Sequence, residues 1–395
     1  MPATNSTGTA APAGSLLDRA RRVSAVAAEH AEYADSSGRL AEPVVEAIHR
    51  ERLLGMWTPK VLGGDELDPC GSLEVIEQLS YGDPSAGWVF MASSLATGTG
   101  GAFLGDDAVK TLFAGDRFPV IVGQGTRPGQ ALPRDSGFDL SGTWSFASGI
   151  KHGTHIHTLG VIEGTGEARI FVLPIDKATL IDNWDVMGLR GTGSIDYRID
   201  GVFVPESWSH VALTETPKRG GDLYRLGVIG FAGMCHTGWA CGIGRRLLDE
   251  LTTNVRSKRG RTGTQAQSDG FLQDYAKHEG IYRAARALAF GAWNDVWATL
   301  SRGETLSTRQ HTLIRLAMAH ITWAAHDVAA FVYRSCGTMA LRASTIQRLF
   351  RDMHAGTQHV IASPPVFAEV GRELADLAPG ASWQFLTLAG ESERG

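Results

Sequence analysis

The 395-residue sequence predicts an α+β protein built as an N-terminal helical domain, a middle β-barrel-like domain and a C-terminal helical bundle. Apolar side chains recur at helical spacing from Leu16 to about Gly115, and the texture then changes, from Phe118 to about Leu213, into short β-like runs separated by Gly, Pro and Asp. Beyond Tyr224, Ala-rich stretches too long for strands restore the helical pattern. The length also exceeds what one hydrophobic core supports, so several domains are expected.

The elements follow in order. Residues 1–14, MPATNSTGTAAPAG, have neither the basic nor the apolar region of a signal peptide and read as a disordered tail, so secretion is not expected. In the first domain, 15–117, SLLDRARRVSAVAAEHAEYADSSG is amphipathic and EPVVEAIHRERLLGM carries Pro43 near its start. PKVLGGDELDP is a turn-rich loop, after which SLEVIEQLSYGD and SAGWVFMASSLATGTGG return to helical spacing.

The middle domain, 118–214, holds the β-like runs PVIVGQG, FDLSGTWSFASG, ARIFVLPI and SIDYRIDGVFVP. The third, 215–395, opens with residues 226–244, which contain no Asp, Glu, Lys or Arg and are long enough to span a bilayer. Their glycines and His236 favour a buried bundle helix instead.

Thirty-seven Lys and Arg against 42 Asp and Glu leave a formal charge of −5, without the basic field that nucleic acid requires. The four cysteines form no CxxC pair, which argues against a disulfide framework or a cysteine zinc site and fits a reducing cytoplasm. The string HGTHIHTLG brings His152, His155 and His157 together, but no adjacent carboxylate or cysteine completes a ligand set, so no metal is expected. Neither G-x-G-x-x-G opening a helix after a strand nor a P-loop is present, so no nicotinamide fingerprint is expected in this chain.

Several strings sit in the right places within the helical, β, helical order: LLGMWTPKVLGG, GTWSFASG, WDVMGLRGTGS, VFVPE and QRLFRD. Together, from about Leu40 to Arg372, they resemble the acyl-CoA dehydrogenase superfamily. The patterns GxWxFxSG and RDxHxxxxH are similar to its flavin-dependent monooxygenase branch, the two-component aromatic hydroxylases and desulfurisation-type oxygenases.

The resemblance implies roles for particular residues. Ser148 falls where the superfamily hydrogen-bonds the flavin edge around nitrogen 5, and Phe146 where an aromatic side chain packs near the ring. RGRTG resembles the RxxFG loop, with Thr in place of Phe, and would place Arg259 on flavin phosphate from a neighbouring subunit.

A dehydrogenase needs a carboxylate to remove the proton α to a thioester. At the usual base position this chain reads RDMHAGTQHV, and the alternative position, Tyr224 to Gly227, also lacks an acid. His359 instead matches the histidine that the monooxygenase branch presents toward the flavin. His354, five residues earlier, points elsewhere on a helix. Many relatives carry a second active-site histidine in the helix after the S-x-x-W segment; here GDPSAGWVFMASSLATG has none, leaving the hydroxyls of Ser93, Ser94 and Thr97. Trp88 of that segment, and His152 because it closely follows Ser148, are expected to line the substrate site.

The function implied is a monooxygenase using reduced flavin (FMNH2 or FADH2) from a separate reductase, with O2 added at flavin carbon 4a, to hydroxylate an aromatic or polycyclic substrate through a flavin hydroperoxide. A cytoplasmic homotetramer is implied too. Other readings are a dehydrogenase or oxidase of acyl-CoA-like substrates, an N- or S-oxygenating relative, and a non-catalytic helical scaffold.

Overall fold

The computed structural model describes residues 12–258 and 265–390. The chain begins with helices α1 (Leu16–Ser37), α2 (Glu42–Arg50), α3 (Pro69–Gly82), α4 (Pro84–Phe103) and α5 (Asp106–Leu112). Ser15 and Asp18 form a reciprocal capping box that starts α1, and Gly38 ends it in the left-handed conformation. Asp68 and Asp83 cap α3 and α4, each followed by a proline whose fixed φ suits the first helical turn.

The central sheet has strands β1 (Ile121–Arg134), β2 (Gly137–Trp144), β3 (His155–Ile162), β4 (Ala168–Pro174), β5 (Thr179–Ile181), β6 (Asp196–Pro205) and β7 (Ser209–Val211), in the order β5-β6-β2-β1-β3-β4-β7. Among the described residues, only β1 and β3 pair in parallel. The short strands β5 and β7 lie at its two ends. The register of β1 slips between Gln124 and Gly129, which releases the intervening residues from the ladder with β3.

The remaining helices are α6 (Gly227–Ser257), α7 (Asp269–Leu300), α8 (Thr308–Cys336), α9 (Thr338–Leu341), α10 (Thr345–Gly356) and α11 (Pro364–Leu374). A hairpin, β8 (Ser382–Gln384) and β9 (Thr387–Ala389), follows; its brevity left no readable alternation in the sequence. The charge-free stretch becomes the first half of α6, and most of it is buried inside the protein. A Cβ at Gly242 would collide with the Glu77 carbonyl, so the missing side chain lets α6 lie directly against α3.

One hydrophobic cluster runs through the helical domains and the sheet. Trp57, Trp144, Trp239 and Trp293 are fully buried in it. The first three donate their indole N–H to Ser72, the Leu159 carbonyl and the Pro84 carbonyl, so these tryptophans serve the core rather than a ligand pocket.

Candidate active site

A cavity of about 1030 Å³ opens where α4, the sheet, α6 and α10 meet. Trp88, Met91 and Leu95 of α4 form one wall, and Phe146, Ser148 and the loop from Trp184 to Ser194 form the wall toward the sheet. Gly123 and Gln124 of β1, and Gly125 and Arg127 of its bulge, also line the cavity.

A chain of hydrogen bonds crosses the sheet wall. Trp88 Nε1 donates to Ser148 Oγ at 3.1 Å, Ser148 Oγ lies 2.8 Å from Ser194 Oγ, and Ser194 Oγ lies 2.7 Å from Thr192 Oγ1. Thr192 Oγ1 donates to the Leu189 carbonyl at 2.7 Å. A donor-only indole at one end and an acceptor-only carbonyl at the other set the direction, so each hydroxyl donates to the next. Phe146, two residues before Ser148, holds a left-handed backbone (φ 67) with its side chain 65% exposed, and its ring meets Trp184 edge-on. A bulky residue in that conformation costs about 1–3 kcal/mol, which marks the turn as a place where strain is retained.

Facing this wall are two imidazoles. His236 on α6 and His359 just beyond α10 approach to 4.0 Å between ring centroids, and both rings meet Trp88 edge-on. Burial pushes His359 down to about 4, and burial together with His359 holds His236 well below the usual histidine range. Both are therefore neutral near pH 7. The Ile361 N–H donates to His359 Nδ1 at 3.4 Å, which assigns the proton of the neutral ring to Nε2.

Asp352 of α10 ties the two walls together. It is buried, and its Oδ1 accepts the Leu189 N–H at 2.6 Å, at the loop where the hydroxyl chain ends. Gly188 makes this docking feasible, because a Cβ there would collide with the Arg351 carbonyl. Burial, then the nearby Asp83 carboxylate, raises Asp352 to about 7.

Of the residues expected at the site, Ser148, Phe146, Trp88 and His359 line this one cavity, as does His354. His152 does not. The left-handed turn at Gly149 (φ 77) and the short helix Ile150–His152 carry it away, into a crevice beside Val89 and Phe90 that is barely the size of one water. Ser93 and Ser94 are buried without hydrogen-bond partners and do not line the cavity, and Thr97 ties α4 to the start of the sheet by donating to the Pro119 carbonyl. Arg259 lies outside the described residues. His155 stacks on Trp208, and His157 reaches the cavity wall from β3.

His236, Ser194, Thr192 and Asp352 were missed as site residues. The one signal for His236 was a lone histidine inside a charge-free helix, which served only as evidence of burial. No Asp, Glu or Lys lines the cavity among the described residues, so the carboxylate that an α-proton abstraction requires is not there.

Residues 15–113 match the family model of the acyl-CoA dehydrogenase N-terminal domain, and residues 234–364 match that of the C-terminal domain. The chain belongs to the acyl-CoA dehydrogenase family. Among the acyl-CoA dehydrogenase relatives is the indole-3-acetate monooxygenase of Pseudomonas putida, 28% identical over 85% of this chain and 87% of that one. Another is the flavin-dependent monooxygenase oxygenase subunit HsaA of Rhodococcus jostii, 24% identical over 85% of this chain and 91% of that one. Among solved structures, the 3-HSA hydroxylase of Rhodococcus sp. RHA1 aligns with a TM-score of 0.84 at 21% identity, covering 92% of this chain and 97% of that one. TdsC of Paenibacillus, in a complex with FMN and indole, aligns with a TM-score of 0.76 at 18% identity over 92% of this chain and 97% of that one.

The cavity suits the flavin that this acyl-CoA dehydrogenase branch implies. The exposed Phe146 and the half-buried Trp184 offer flat apolar surface, and hydroxyls line the same wall. That combination fits a planar heterocycle with a polar edge.

Proposed function

We infer that this protein is the oxygenase component of a two-component flavin-dependent monooxygenase that hydroxylates a small aromatic or polycyclic substrate. Reduced flavin, when bound, supplies the two electrons that split O2 into one oxygen atom for the substrate and one for water. The observation that carries this reading is the neutral His236–His359 pair, 4.0 Å apart between ring centroids, where a dehydrogenase would hold a carboxylate.

The chain's own groups have distinct tasks. His359 holds a proton at Nε2 for the oxygen atom that becomes water, and His236 accepts the proton released by a substrate hydroxyl or ring N–H. Ser148 orients the flavin edge around nitrogen 5, with Phe146 against the ring; its position is fixed by Trp88 on one side and Ser194 on the other. Met91, Leu95 and Ile361 exclude water, which limits loss of the oxidant as H2O2.

Electrons come from a separate flavin reductase, consistent with the absence of a dinucleotide fingerprint in the sequence and with an oxygenase subunit among the relatives. A cytoplasmic homotetramer, with Arg259 reaching flavin phosphate across subunits, completes the proposal.

The test incubates the protein with a flavin reductase, FMN or FAD, NADH, labelled O2 and a panel of hydroxyarenes and indoles, and in parallel with oxidised flavin and an acyl-CoA. One labelled oxygen in an organic product is expected. Reduced flavin consumed only to H2O2 across the whole panel, or turnover of an acyl-CoA to its enoyl form, would overturn the assignment.

A further inference from the structure

We propose that the substrate is a neutral planar arene or heteroarene bearing a hydroxyl or ring N–H, and that the cavity discriminates against aryl acetates. This deepens the monooxygenase reading above and rests on it.

The helical half of the cavity is made by Met91, Ala92 and Leu95 from α4 and by Val228, Ile229 and Ala232 from α6. Among the described residues lining the cavity, Arg127 is the sole permanent charge. It is exposed and sits on the β1 bulge at the rim of the sheet wall, not on the helices. A substrate carboxylate enclosed by the helical wall would lose its hydration and gain no cation. A neutral ring meets no such penalty, and the same wall rewards its apolar area.

A polar handle on the ring has a receiver. His326 of α8 and His354 of α10 line the cavity together, 4.5 Å apart between ring centroids. His354 Nδ1 donates to the Phe350 carbonyl at 2.7 Å, so Nε2 is the ring nitrogen left to meet a substrate hydroxyl or ring N–H. The charge-free wall and this nitrogen both suit a ligand that is neutral and carries a polar hydrogen.

Indole and indole-3-acetate differ by one carboxymethyl group, so the pair isolates the charge. Calorimetric titration of the full chain at pH 7.5, under anaerobic conditions with reduced FMN, is expected to show indole binding at least 10-fold tighter. Equal or tighter binding of the acetate would overturn the proposal, and so would failure of either to bind at millimolar concentration. Ile229→Lys, which places a cation on the helical wall, should shift the binding ratio toward the acetate by 10-fold or more; an unchanged ratio in the folded variant would show that the wall is not the cause. Labelled O2 admitted to the same samples reports separately on oxygen transfer. A chain that prefers indole in binding yet labels no product would lose the monooxygenase reading while keeping the ligand preference.

Discussion

Asp352 accepts the Leu189 N–H at 2.6 Å and, with Arg351 Nη1 donating to the Met187 carbonyl at 2.8 Å, a helix of the C-terminal domain fixes the loop that ends the hydroxyl chain from Ser148. Leu189 is itself left-handed (φ 54), so the loop needs the external anchor. Asp352→Ala leaves the Leu189 N–H unpaired, with an expected stability loss of about 1–3 kcal/mol. Product formed per reduced flavin should fall several-fold, with the remainder lost as H2O2. Asp352→Asn keeps an acceptor oxygen and should retain most of the yield. Urea denaturation and product yield on the two variants check both expectations; full coupling in the alanine variant would show that the loop holds without the anchor.

His359→Ala should fold, bind reduced flavin and lose oxygen transfer, with a fall in product rate of about 10²–10⁴. His236→Ala should act in the same direction, since the two rings share one space. Because His359 and His236 handle different protons, the double variant should be slower than either single one; a double variant no slower than the singles in steady-state assays would show that the two rings act as one unit.

Ser148→Ala removes the hydroxyl that accepts from Trp88 and donates toward Ser194. Reduced flavin should bind about 10-fold more weakly, the size expected for one lost hydrogen bond. Ser194→Ala should show a smaller effect of the same sign, because it acts only by positioning Ser148. Anaerobic fluorescence titration measures both.

Acid should destabilise the fold before it affects the surface. Burial pushes His157 down to about 3 and His210, His311 and His359 to about 4. Unfolded histidines take up protons below about 6.5 while these do not, so their contribution is present above that pH and is lost as pH falls toward 4. Asp83 and Asp352, raised by burial to about 6 and about 7, act oppositely, favouring the folded state at low pH and losing that as pH rises through 6 to 7. The histidines outnumber them, so the urea midpoint should fall between pH 6.5 and 4.5. A flat profile would mean that the buried rings gain protons without opening the fold.

Light scattering at micromolar concentration should report a homotetramer. A monomer would leave Arg259 without a neighbouring flavin phosphate to reach.

Sequence by itself determined the helical, β, helical order, because the period of apolar residues and the Gly, Pro and Asp punctuation are local properties of the chain. Its resemblance to the acyl-CoA dehydrogenase superfamily led to the expectation that Ser148, Phe146, Trp88 and His359 share one site, and these four residues line one cavity. Only the tertiary structure decided what pairs with them. His236 meets His359, Ser194 meets Ser148 and Asp352 meets Leu189 from distant parts of the chain, and such distances are set by packing between domains, not by spacing. His152 shows the same limit in reverse. It stands four residues from Ser148, yet the left-handed turn at Gly149 sends it to a different crevice, since one change in φ redirects everything that follows.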